Sequence, residues 1–147
     1  SLAIDTEPVF SVDGRYVYFT SDRGGSPQIY RQTVDTDEVE RVTFASDYAV
    51  SPSINPQGTH LAYVTRTNGR YRVAQMEIAT GQETILSGTD ADESPCYSPN
   101  GRMIVYATEV GRRGVLATVS VDGAVSSRLS GSSGDIREPT WSPLIPD

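Results

Sequence analysis

One word recurs along this chain at a nearly constant interval. Glu7-Pro8-Val9-Phe10-Ser11-Val12-Asp13-Gly14 is answered by Ser51-Pro52-Ser53-Ile54-Asn55-Pro56-Gln57-Gly58, by Ser94-Pro95-Cys96-Tyr97-Ser98-Pro99-Asn100-Gly101, and by Glu138-Pro139-Thr140-Trp141-Ser142-Pro143. Pro8, Pro52, Pro95 and Pro139 differ in number by 44, 43 and 44. A fixed period of this size marks a repeat array, in which one supersecondary unit cannot cover its own apolar face and must stack on its neighbours.

Each repeat divides in the same way. After the proline come a short segment and a turn centred on Gly14, Gly58 or Gly101, where glycine and its Asp, Gln or Asn neighbours accept positive φ at low cost. A β-rich run follows: Tyr16-Val17-Tyr18-Phe19-Thr20, His60-Leu61-Ala62-Tyr63-Val64 or Met103-Ile104-Val105-Tyr106-Ala107. A second turn leads to a third strand, at Gln28–Gln32, Arg72–Met76 or Val115–Val119. The shortest strand comes last, ending at Val42-Thr43, Leu86-Ser87 or Leu129-Ser130. Four short strands joined by hairpin-sized turns, with no helical periodicity, form an antiparallel meander.

At this period the meander fits one blade of a β-propeller. A β-solenoid uses shorter repeats, and a β-sandwich does not repeat its words so closely. The fold class expected is all-β, a propeller with blades over residues 4–43, 44–87 and 88–130 and one further inner strand at 138–142. Rings have four to eight blades, so three and a fraction leave the outer flanks of the first and third blades bare. The rest of a longer chain, or a second copy making six blades in all, is expected to cover them. The opening at Ser1 without Met is expected of a piece of such a chain.

Charge excludes one class of partner. Twelve basic residues, all of them arginine, stand against nineteen acidic ones, for a net charge of -7. A nucleic-acid-binding surface needs the opposite balance. No apolar run approaches the roughly 18 residues of a membrane-spanning helix. Cys96, the single cysteine, sits in an apolar strand and is expected to be a buried structural thiol.

The words resemble the propeller repeats of the TolB family. The stretch Phe19-Thr20-Ser21-Asp22-Arg23-Gly24-Gly25-Ser26-Pro27-Gln28-Ile29-Tyr30 is the most recognisable, joined by Asp92-Glu93-Ser94-Pro95 and the terminal Pro139-Thr140-Trp141-Ser142-Pro143-Leu144. The resemblance covers essentially the whole chain. It implies a six-bladed propeller and a periplasmic, non-catalytic scaffold of the Tol-Pal cell-envelope system. One end of that propeller would bind the lipoprotein Pal, and colicins would occupy the same surface. TolA would be engaged by an amino-terminal region that this sequence does not contain. One departure stands out: Ile54-Asn55 replaces the usual aromatic-Ser, which is expected to loosen the second innermost strand.

The loops entering each innermost strand converge at one end of a propeller. They carry Asp5-Thr6-Glu7, Val50-Ser51, Asp92-Glu93-Ser94 and Arg137-Glu138, an acidic and hydroxyl-rich set suited to a partner's cations and N–H groups. The residue before a proline is held extended, so these side chains are expected to point in a fixed direction. By resemblance Thr6 and Glu7 rank first for Pal contact. The plainer reading is that these groups only satisfy nearby loop amides.

Other candidates are weaker. His60 begins a strand where the other repeats have Tyr16 and Met103, so a structural role is expected. Ser130-Gly131-Ser132-Ser133-Gly134 does not match a Gly-x-Ser-x-Gly nucleophile elbow. Trp141 is expected to pack in the core, and Arg112-Arg113 to form a hydrated hairpin tip. A carboxylate ring could hold Ca²⁺, but no Asp-x-Asp-x-Asp spacing occurs and no cofactor is expected. The competing reading is the gating propeller of a prolyl oligopeptidase or tricorn-type serine peptidase. That enzyme needs a separate hydrolase domain with a Ser, His and Asp relay.

Overall fold

The computed structural model describes residues 8–129, which form twelve strands and no helix. The strands make three four-stranded antiparallel meanders. The first is β1 (Val9–Phe10), β2 (Tyr16–Ser21), β3 (Gln28–Thr33) and β4 (Val39–Arg41). The second is β5 (Ala49–Ile54), β6 (His60–Thr67), β7 (Arg70–Glu77) and β8 (Glu83–Ile85). The third is β9 (Glu93–Tyr97), β10 (Met103–Val110), β11 (Arg113–Ser120) and β12 (Ser126–Arg128). The inner strand expected at 138–142, and Trp141 within it, lie outside the described residues.

The repeated words impose repeated hydrogen bonds. Val34, Ile78 and Val121 donate their N–H to the carbonyls of Arg15, Thr59 and Arg102. Val42, Leu86 and Leu129 donate to Ile29, Val73 and Leu116. Between them, Gly14, Gly58 and Gly101 take φ of 76°, 77° and 76°, a region closed to most side chains. Sequence periodicity is here converted directly into backbone geometry.

The fourth strands end at Arg41, Ile85 and Arg128, just short of the residue pairs at which the sequence suggests they end. In the first two sheets a side chain takes over from the backbone. Thr43 Oγ1 accepts the Ile29 N–H at 3.0 Å, and Ser87 Oγ accepts the Val73 N–H at 2.9 Å. Both hydroxyls are buried, so these bonds satisfy donors that water cannot reach.

The Asn55 departure does not loosen its strand. Ser11 and Ser98 close their turns by accepting the N–H of Tyr16 and Met103 on Oγ. Asn55 Oδ1 does the same for His60 at 3.0 Å and accepts the Thr59 N–H as well, at 2.8 Å. An amide reaches both donors where a hydroxyl reaches one, and β5 is the longest of the three first strands.

The sheets pack face to face. Tyr18 and Ile29 of the first sheet meet Leu61, Tyr63, Ala74 and Met76 of the second. The other face of the second sheet sets Ala62 and Val73 against Tyr97, Ile104, Tyr106, Ala117 and Val119 of the third. A middle sheet covered on both sides needs apolar residues at successive positions, which is why Leu61–Val64 is an unbroken apolar run. Each fully buried Leu or Ile contributes about 1.5–3 kcal/mol.

The face of the first sheet turned away from the second is mixed, with Tyr30 buried on it and Val17 half-buried. Phe10 is 62% exposed, and Phe19 stacks on Tyr30 with centroids 6.1 Å apart. On the third sheet Val105 and Ala107, on the face turned away from the second sheet, are both buried. Cys96 on that same face is half-buried rather than fully enclosed.

Candidate functional site

Two β-bulges shape the first strands. In β5, Val50 pairs with Val64 and Ser53 with Ala62, so Ser51 and Pro52 together oppose Tyr63. In β9, Glu93 pairs with Ala107 and Cys96 with Val105, so Ser94 and Pro95 oppose Tyr106. Proline cannot donate to a ladder, and a bulge is where a strand accommodates it.

The serines before these prolines are not extended, contrary to the sequence expectation. Ser51 and Ser94 have φ of 60° and 55°, in the left-handed region. The extra residue of each bulge has to be absorbed there, and this outweighs the usual preference before proline. Such a conformation costs of order 1–3 kcal/mol and persists only where the surroundings enforce it. Part of that enforcement is visible at Ser51, whose N–H donates to Thr20 Oγ1 of the neighbouring sheet at 3.2 Å.

The bulges lie at the end of the sheets where the inter-sheet loops arrive. Ala49 N–H donates to the Pro27 carbonyl at 2.9 Å, and Asp92 N–H to the Tyr71 carbonyl at 3.0 Å. Tyr71 also forms a parallel bridge with Ala91. Each loop is thereby tied to the β2–β3 or β6–β7 hairpin of the preceding sheet, and β5 packs beside both β1 and β9.

The candidate residues divide at this end. Val50, Ser51 and Ser94 are half-buried, and Glu93 is exposed at the start of β9. Asp92 is only 3% exposed. Its Oδ1 accepts the hydroxyls of Thr89 at 2.5 Å and Thr108 at 2.7 Å, and Oδ2 accepts that of Ser87. Asp92 therefore knots loop to strand, and its carboxylate is not presented outward beside Glu93. Asp5, Thr6, Glu7, Arg137 and Glu138 lie outside the described residues.

The same end holds groups that the proline words did not single out. The Arg66 guanidinium lies 4.9 Å from the Tyr48 ring centroid and 3.8 Å from Asp47 Oδ2. Tyr48 meets Tyr71 edge-on at 5.4 Å. Burial raises the Tyr48 phenol above its ordinary range, and Tyr71 adds to the effect. Arg72 pairs with Asp90 at 3.1 Å. Asp47 and Asp90 are themselves 43 residues apart, the one signal that could have drawn attention to these loops.

The remaining sequence candidates divide between the two ends, the β10–β11 turn lying at the bulged end like the β6–β7 hairpin. Arg112 and Arg113 are exposed, with Arg112 in the β10–β11 turn at φ 67°. His60, at the opposite end of its sheet, shares a 2.8 Å hydrogen bond between Nδ1 and Thr59 Oγ1. Among the described residues no three His, Cys, Asp or Glu side chains gather closely enough to hold a metal ion. The arrangement offers hydroxyls, a carboxylate and backbone groups displaced from the ladder, a surface for non-covalent recognition.

Comparison with known proteins bears directly on this architecture. The family model described as the TolB beta propeller domain matches residues 1–145. The Tol-Pal system protein TolB of Bordetella parapertussis is 47% identical over 144 residues, covering 98% of this chain and 33% of that protein. The Bordetella pertussis protein of the same name is 48% identical over the same shares. The crystal structure of TolB from Acinetobacter baumannii superposes with a TM-score of 0.86 at 44% identity, covering 92% of this chain and 34% of that one. A putative TolB from Agrobacterium tumefaciens shares the fold, with a TM-score of 0.87 at 22% identity over 97% and 53% of the two chains. The chain spans about a third of the length of the Bordetella relatives it matches. With the repeat words, the three stacked meanders and these matches together, the chain belongs to the TolB beta propeller family.

Proposed function

We propose that this chain is a non-catalytic protein–protein interaction module of the Tol-Pal cell-envelope system, working in the periplasm, whose bulged end binds Pal. The observation that carries the reading is the repeated bulge. Ser51 and Ser94 hold the same disfavoured conformation at equivalent points of adjacent first strands, next to the exposed carboxylate of Glu93. Backbone strain maintained twice at one end of a fold is characteristic of a recognition surface. The relatives named as Tol-Pal system proteins supply the biological context.

The mechanism is complementation without bond making. Serine hydroxyls and displaced backbone groups exchange hydrogen bonds with the partner, and Glu93 and Glu7 attract its cations. Asp92 contributes by holding the loop in place. Colicins that present a similar surface would compete for this end. TolA contact would reside in sequence beyond this chain.

Calorimetric titration with soluble Pal tests the reading, using this chain and a longer form that carries it. The expected result is binding that Glu93→Lys weakens about tenfold, or about 1.4 kcal/mol, while the circular dichroism spectrum is unchanged. Absence of binding in both forms would overturn it.

A further inference from the structure

Between the outer edges of the first two sheets lies a cleft of about 490 Å³, away from the bulged first strands. Its walls differ in charge. On one side stand Arg41 and Phe44, and on the other Gly81 and Glu83, with Tyr63 and Met76 at the base. The volume falls within the range of small-ligand and side-chain pockets.

The carboxylate on the far wall is deliberately placed. Tyr63, which has no exposed surface, donates its hydroxyl to Glu83 Oε2. That bond fixes one oxygen and leaves the half-buried carboxylate at the cleft wall. On the near wall, Arg41 Nε donates to the Thr43 carbonyl at 2.6 Å, and the guanidinium lies 4.6 Å from the Phe44 ring centroid. Arg41 makes no ion pair among the described residues, and Phe44 is 70% exposed.

The cleft is not a generic gap between blades. At the next junction the position of Glu83 is taken by Ser126 and that of Phe44 by Gly88. There Leu86 Cδ2 approaches to 3.7 Å of the place a Cβ on Gly123 would occupy, and Leu86 itself is buried. At the second junction the buried Leu86 packs toward Gly123, and neither the acid nor the aromatic of the first is present.

We propose that this cleft receives a lysine or arginine side chain from a partner polypeptide. The aliphatic stem lies along Met76 and Phe44, and the cationic head meets Glu83. The remaining guanidinium donors of Arg41 meet the carbonyls of the partner's backbone at the rim. The net charge of -7 favours approach of a basic segment over an acidic one. Because the cleft is on the outer edge, this inference stands independently of Pal binding at the bulged end.

The test is a nuclear magnetic resonance titration of the chain with acetyl-Ala-Lys-Ala-amide, against the same peptide carrying norleucine in place of lysine. The lysine peptide is expected to shift the Gly81 and Thr43 amides and the Met76 methyl, and to bind about tenfold more tightly than the norleucine control. Glu83→Gln keeps an acceptor for Tyr63 and is expected to reduce the lysine peptide to the level of the control. Equal binding of the two peptides, shifts confined to other parts of the chain, or full binding by Glu83→Gln would each overturn the proposal.

Discussion

The Asp92 carboxylate accepts the Thr108 hydroxyl at 2.7 Å, joining the loop before the third sheet to the second strand of that sheet. Thr89 and Ser87 donate to the same carboxylate, so one side chain gathers three hydroxyls, two of them buried. Removing its acceptors leaves the buried Ser87 and Thr108 hydroxyls unsatisfied, while half-buried Thr89 still has the Tyr106 hydroxyl within 3.3 Å. Asp92→Ala is therefore expected to cost about 3 kcal/mol of stability, measured by urea denaturation. Asp92→Asn keeps one acceptor oxygen and is expected to cost less. An Asp92→Ala protein as stable as the parent would show that the network is dispensable.

The two strained serines make a separable prediction. Glycine adopts φ near 55° without penalty, while a β-branched residue is strongly opposed there. Ser94→Gly is expected to hold stability within about 1 kcal/mol of the parent, because relief of strain offsets the extra freedom of the unfolded chain. Ser94→Val is expected to unfold at distinctly lower denaturant. If the hydroxyl contacts Pal, Ser94→Gly loses affinity without losing stability, and the two measurements part company.

Alkaline pH tests the packing of the tyrosines. Burial pushes the phenols of Tyr63 and Tyr97 far above the unperturbed value of 10.0, and for Tyr63 the hydrogen bond to Glu83 adds to the effect. Tyr106 is shifted upward by burial as well. A phenol whose folded pKa is raised stabilises the fold fully below the unfolded value, and that contribution is lost as pH rises beyond it. Phenolate absorbance is expected to remain incomplete above about pH 11 and to finish together with loss of the β-sheet signal. Tyr63→Phe should remove one late-titrating phenol. Complete ionisation of the folded chain near pH 10 would contradict the buried positions.

Much of the fold was legible because the same residue types recur at the same offsets. Glycine at 14, 58 and 101 announces the turns, and the apolar run of β6 announces a sheet covered on both faces. What escaped the sequence were features decided by two segments meeting. Ser51 and Ser94 read as extended from their prolines alone, and only the strand opposite, with one residue fewer, forces the bulge. Asp92 and Glu93 are neighbours of like charge, yet one is buried against three hydroxyls and the other is exposed. Thr89 and Ser87 are three and five residues from Asp92, but Thr108, which ties the loop to the facing strand, is sixteen away. The cleft at Glu83 depends on Phe44 and Arg41 of another sheet, so its chemistry was likewise invisible along the chain.

Salt dependence separates electrostatic recognition at the bulged end from simple packing. Glu93 is exposed, so its attraction to a partner cation passes through water and is screened over about 8 Å at physiological ionic strength. The affinity for Pal is expected to fall as salt rises, and the tenfold deficit of Glu93→Lys should shrink in about 1 M salt. Ser94→Gly removes a hydrogen bond rather than a charge, so its deficit should stay nearly constant across the same range. Reversal of this pattern, with a salt-insensitive Glu93→Lys, would mean that the carboxylate acts through local structure and not through its charge.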